Sequence, residues 1–216
     1  MKKIIRILLI IIIVLIVIVY LLYVLNYIPH KKYLSRDFKI EEYKSLVDMD
    51  QDLVDDQTDI LNGVRNYIER KPKYKSKYYK DGYPTDNYGV CTDVVAFGMR
   101  NAGYDLKELV YDDIINNKNE YDIDIIDKNI DFRRVRNLKV YFKRKAINLT
   151  TDISKIEEWQ GGDIVIFENH IGIVSNYRNK KGIPFVIHHA SVYQTRYEED
   201  ILESKFYKVV GHFRVS

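Results

Sequence analysis

The sequence predicts an α+β domain, with helices first and a mostly antiparallel sheet afterwards, preceded by a single transmembrane helix. Three observations carry this reading. An uninterrupted apolar run stands near the N-terminus, apolar residues recur at helical spacing through the middle of the chain, and the pattern changes to short strand-like blocks after Trp159. Helices followed by strands, without regular alternation, separate α+β from α/β architectures.

The first segment contains Lys2, Lys3 and Arg6, and no charge then appears from Ile7 to Leu25 (ILLIIIIVLIVIVYLLYVL). As a helix this run reaches about 28 Å, close to the hydrocarbon thickness of a bilayer. Tyr20, Tyr23 and Tyr27 gather at its far end, where amphipathic rings favour the membrane interface. A cleavable signal peptide has a shorter apolar core and a small-residue cleavage site. No small residue lies between Ile7 and Tyr27. Residues 1–28 are therefore expected to be an uncleaved membrane anchor, 29–50 a polar stalk and 51–216 the folded domain. The basic cluster before the run places the N-terminus in the cytoplasm and the body outside, a single-pass topology that Lys31, Lys32 and Arg36 on the other flank oppose.

Composition excludes several classes. The chain of 216 residues carries a formal net charge of +3, and without Lys2, Lys3 and Arg6 the remainder is neutral. Such a body has no basic excess for nucleic acid. A single cysteine excludes an internal disulfide framework and cysteine-rich zinc modules. No H-E-x-x-H, phosphate-loop or dinucleotide pattern is present, so no metal or other cofactor is expected.

In the body, Leu53, Ile60, Val64, Tyr67 and Ile68 approximate a helical stripe over 51–70. Residues 71–88, rich in Tyr and Lys, read as a loop. A helix is predicted from about Cys91 to Gly103, a second over 105–117, and a third within 133–145, a stretch rich in bases and free of acids. Strands are predicted at 163–167, 170–175, 184–188 and 206–215.

Cys91 is the residue of greatest chemical interest. In the first turn of a predicted helix, unpaired N–H groups and the positive dipole end favour thiolate over thiol. A thiol nucleophile needs a base, and the base an orienting partner. The histidines away from the anchor are His170, His188, His189 and His212; His170 opens one predicted strand and His188 and His189 close the next. Neighbouring antiparallel strands would bring base and orienter together. Asp93 reads as a favourable charge in the first turn of the helix.

An ordered set of motifs reaches further. It comprises G-V-C-T-D-V-V at 89–95, N-I-D-F-R-R-V at 129–135, W-x-x-G-D-I-V at 159–165, H-I-G-I-V at 170–174, V-I-H at 186–188 and G-H-F-R at 211–214. The set resembles the bacterial family catalogued as domain of unknown function 1287. More distantly, cysteine on a helix with G-D-I-V and H-I-G-I on strands is similar to the NlpC-type papain-like cell-wall amidases. That resemblance implies a papain-like fold and a catalytic domain over 51–216. It also implies a Cys–His–polar triad cleaving amide bonds of peptidoglycan stem peptides. Carried over, Cys91 is the nucleophile and His170 the base; the third member is His188, or alternatively His189. A tyrosine hydroxyl near the oxyanion is also implied, with Tyr83 as the candidate.

Two other functions fit the same scaffold. One is a non-catalytic wall-binding module using the basic 133–145 segment, and the other is lipid acyl transfer close to a bilayer.

Overall fold

The computed structural model describes residues 2–216, which form two units, one ending at Lys31 and one spanning Lys32–Ser216. In the first, Lys2–Val24 make one helix, α1, with no buried residue. Its length and composition suffice to cross a membrane.

The second unit contains four further α-helices: α2 (Asp56–Glu69), α3 (Cys91–Asn101), α4 (Leu106–Asn116) and α5 (Val135–Lys145). Side-chain caps fix two of their starts. Asp55 accepts the N–H of Thr58 at the head of α2, and Asp105 accepts those of Lys107 and Glu108 at the head of α4.

The main sheet follows the predicted strands. Its core is β5 (Ile164–Phe167), β6 (Ile171–Arg178), β7 (Pro184–Ile187) and β9 (Val209–Arg214), flanked by two-residue strands β4 (Ile147–Asn148) and β8 (Glu198–Glu199). The order is β4-β9-β5-β6-β7-β8, antiparallel throughout. Its two faces bury different sets of side chains. Ile164, Ile166, Ile171, Ile173 and Ile187 meet Ile60, Val64, Val94 and Met99 of the helices. Val165, Phe167, Val174 and Val186 meet Trp159, Ile201 and Leu202 on the other side. Covered on both faces, these strands read as continuous apolar blocks rather than alternating ones.

The segment expected as a stalk differs. From Lys32 onward the chain belongs to the body: β1 (Tyr33–Leu34) pairs antiparallel with the far end of β6. The buried Arg178 guanidinium donates to Ser35 Oγ at 3.1 Å and to the carbonyls of Ile156, Trp159 and Gly182. The Tyr43 hydroxyl donates to the Ser216 carbonyl at 2.9 Å. Polar hydrogen bonds rather than apolar stripes hold this segment, and hydrophobic periodicity does not register them.

Within 71–88, expected as plain loop, Lys73–Tyr74 (β2) and Tyr88–Gly89 (β3) form a short parallel pair. This pair leads the chain directly into Cys91.

Candidate functional site

The approach to Cys91 is built from its neighbours. Val90 is the extended N-cap of α3 but has no polar side chain, so Asp93 takes over, its Oδ2 accepting the Val90 N–H at 2.8 Å. Arg133 grips the same buried carboxylate with two bonds, Nε to Oδ1 at 2.7 Å and Nη2 to Oδ2 at 2.8 Å. Its remaining Nη1 donates to the Lys77 carbonyl at 2.6 Å. The N-I-D-F-R-R-V segment thus clamps the first turn of α3 to the loop before it. Gly89 is required here, because a Cβ would stand 1.9 Å from the Tyr67 hydroxyl oxygen.

The Cys91 sulfur accepts the backbone N–H of Ile171, the residue after His170. This contact brings the head of α3 to the start of β6. The expected thiolate is not what the fold favours. Burial pushes the Cys91 thiol up to about 11; the Asp93 charge adds to this, and the N–H groups of Ile171, Thr92 and Cys91 oppose it. At neutral pH the side chain is a thiol, so its reactivity depends on a base.

The register of β6 and β7 supplies imidazoles. Ile173 pairs with Ile187, which sets Gly172 opposite His188, and His170 lies two residues before Gly172 on the same face. Gly172 leaves the room, since a Cβ there would meet Val186 at 2.6 Å and the His188 Cβ at 3.1 Å. His170 Nε2 and His188 Nδ1 are 2.9 Å apart, and His188 Nε2 is 3.0 Å from Glu199 Oε2. Glu199 is carried in by β8, where it pairs with Val186. Gln194 Nε2 lies 3.3 Å from the same carboxylate oxygen and 3.2 Å from the His188 carbonyl.

These contacts define the tautomers when Glu199 is ionised. His188 Nε2–H donates to Glu199, so its Nδ1 is an acceptor and takes the Nε2–H of His170. The one ring nitrogen left is Nδ1 of His170, with its lone pair free. Burial pushes both rings down to about 3, and for His170 the neighbouring His188 and His189 add to the effect. Both are neutral at pH 7. Phe167 stacks on His170 with ring centroids 6.0 Å apart, and Tyr207 lies 5.5 Å from His170 and 5.7 Å from His188.

The other candidates are placed differently. His189 packs edge-on against Tyr74 and Tyr197, at 5.3 and 5.2 Å, and its Nδ1 is buried without a partner. Of the two adjacent histidines, His188 is the one that touches His170. Tyr83, the expected oxyanion partner, has its hydroxyl engaged at the head of α4. Its hydroxyl donates to Asp105 Oδ1 at 2.8 Å, tied to the N-cap of α4, while its ring packs on Phe97 and Phe132. Tyr74 lies close enough to Cys91 for their charges to interact.

Sequence reasoning passed over Glu199, Gln194 and Tyr74. Glu199 lies in a run of acids (E-E-D) after a loop, with no spacing that marks it. The W-x-x-G-D and G-H-F-R motifs form a separate buried network. Asp163 binds Arg214 at 2.7 and 2.9 Å and His212 at 3.0 Å, with Trp159 stacked on His212 at 3.8 Å. They brace β5 against β9.

Fold and site together define an α+β domain with one cysteine at a helix N-terminus beside a strand that a hydrogen-bonded histidine immediately precedes. Residues 61–215 match the family described as "Domain of unknown function (DUF1287)", and the chain belongs to that family. It is also 36% identical over 168 residues to the uncharacterized protein YijF of Escherichia coli (strain K12), a match covering 72% of this chain and 80% of the relative. No solved structure matches the chain.

Proposed function

We propose that this chain is a membrane-anchored cysteine hydrolase of papain-like, NlpC-type character that cleaves amide bonds in peptidoglycan stem peptides. In this reading α1 is an uncleaved anchor and the body lies outside the cell membrane. The observation that carries it is the ordered chain His170–His188–Glu199, whose one free ring nitrogen belongs to the residue preceding the N–H donor to Cys91 Sγ.

The chemistry follows from these protonation states. His170 Nδ1 takes the thiol proton as Cys91 Sγ attacks the amide carbon, and the resulting imidazolium is stabilised through His188 by the Glu199 carboxylate. The tetrahedral oxyanion is met by the Cys91 N–H and the Tyr74 hydroxyl. The imidazolium then protonates the leaving amine. Water, deprotonated by His170, hydrolyses the thioester and returns the thiol. The substrate class comes from the motif resemblance, the acid–base arrangement from the geometry.

The test is digestion of purified peptidoglycan by the full chain in detergent micelles. Amine release is expected from the parent and absent from Cys91→Ala; equal release from both refutes the proposal. A wall-binding role for the basic segment has less support. Arg133 is spent on Asp93, and Arg144 and Lys145 both pair with Asp113.

A further inference from the structure

Well apart in sequence from the cysteine and the histidines, the acidic stretch before α2 has an arrangement of its own. The carboxylates of Asp48, Asp50 and Asp52 offer ligand oxygens that all lie within 4.8 Å of one another. Among the described residues no lysine or arginine forms an ion pair with any of them. Three like charges this close repel unless a cation joins them.

Asp59 is an independent observation. It stands in the first turn of α2, is only 4% exposed, and its Oδ2 has no hydrogen-bond partner. The charges acting on it most strongly are those of Asp52, Asp50 and Asp48. A buried carboxylate oxygen without a donor, in the field of three more carboxylates, is costly for a fold to keep.

The spacing names the ligand. Counted from Asp48, the four acids occupy positions 1, 3, 5 and 12, the side-chain positions of the 12-residue EF-hand calcium loop. The loop runs into a helix in the same way, with α2 beginning at Asp56. Position 6, the sharp-turn position, is Leu53 with φ +77°. Asp48 accepts the N–H groups of Asp52 and Leu53 at 3.1 and 2.9 Å, which closes the turn.

We propose that residues 48–59 bind a calcium ion through the carboxylates of Asp48, Asp50, Asp52 and Asp59 and the carbonyl of Val54. Leucine replaces the usual glycine at position 6, and aspartate, one methylene shorter, replaces glutamate at position 12. Both weaken the site, so its affinity belongs with extracellular calcium modules, with Kd about 10⁻⁴–10⁻³ M. The ion would pin the start of the body to the helices. Asp50 already packs against Gly103 beyond α3, and Asp56 accepts the Met49 N–H at 2.8 Å. This site stands whether or not Cys91 is a nucleophile.

The experiment is thermal melting of the full chain in detergent micelles, first with EDTA and then with calcium or magnesium chloride. Calcium at about 10 mM is expected to raise Tm by about 3–10 °C, with a smaller shift from magnesium. Asp50→Asn, which removes a charge without removing a hydrogen bond, and Asp59→Asn are expected to lose the calcium shift. Both should melt in EDTA no lower than the parent, because charge crowding is relieved. The proposal is overturned by an absent shift in the parent, by an equal shift in both variants, or by an equal shift with magnesium.

Discussion

Glu199→Gln tests the acid–base arrangement most sharply. The substitution keeps an oxygen to accept the His188 Nε2–H and removes only the charge. Glu199 Oε2 is 3.0 Å from His188, which is 2.9 Å from His170. Across the ring between them, the carboxylate is about 8 Å from His170 Nε2; at an effective dielectric of about 20 its attraction for an imidazolium there is ~2 kcal/mol. Losing it corresponds to about a 30-fold slower proton abstraction from Cys91. The assay is the rate of alkylation of the single thiol by iodoacetamide at pH 7, which needs no knowledge of the substrate. Circular dichroism melting should be nearly unchanged. An alkylation rate within about twofold of the parent would refute the relay.

Further outcomes follow from burial. His170, His188 and His189 are held neutral in the fold, pushed down to about 3, 3 and 4, whereas the unfolded chain protonates them near 6.5. The unfolded state therefore binds more protons below 6.5, and stability present above that pH is lost as pH falls, by up to about 1.4 kcal/mol per pH unit for each ring. Urea midpoints at pH 7, 6 and 5 should fall in that order, less steeply in His189→Gln; a flat series would contradict the assignment. Arg133→Ala strands the Asp93 carboxylate and should cost about 3–5 kcal/mol in denaturant unfolding, partly recovered by adding Asp93→Asn. Tyr67→Phe removes a buried hydroxyl that has no partner and should stabilise by about 1 kcal/mol. It should also soften the damage of Gly89→Ala, since the clashing oxygen is gone; equal damage in both backgrounds would contradict the packing.

What could be read from the sequence depended on which forces leave a pattern. The blocks DIVIF, HIGIV and PFVI announce β5, β6 and β7 because buried strands must be apolar. The pairing of His170 with His188 follows from those strands being neighbours. β8 has two residues, both glutamate, and no hydrophobic signature, so Glu199 becomes visible only through its register with Val186. The cysteine at the helix N-terminus was legible, but its proton affinity was not. The helix dipole is local to the sequence, whereas desolvation comes from elements far along the chain. The segment 32–50 has few apolar residues and is fastened by hydrogen bonds to Arg178, Ser216 and Gln160. The aspartates at 48, 50, 52 and 59 were in plain view. A reading that weighs only nitrogen and sulfur patterns passes over an oxygen-ligand site.

In the proposed mechanism Cys91 forms a thioester that His170 helps water to break. Defined muropeptides incubated with the chain in H₂¹⁸O, and analysed by mass spectrometry, test it directly. One ¹⁸O is expected in the newly formed carboxylate, with product formation abolished in Cys91→Ala and reduced roughly 100-fold or more in His170→Ala. Muropeptides left intact by the parent, or cleaved equally by all three proteins, would contradict it.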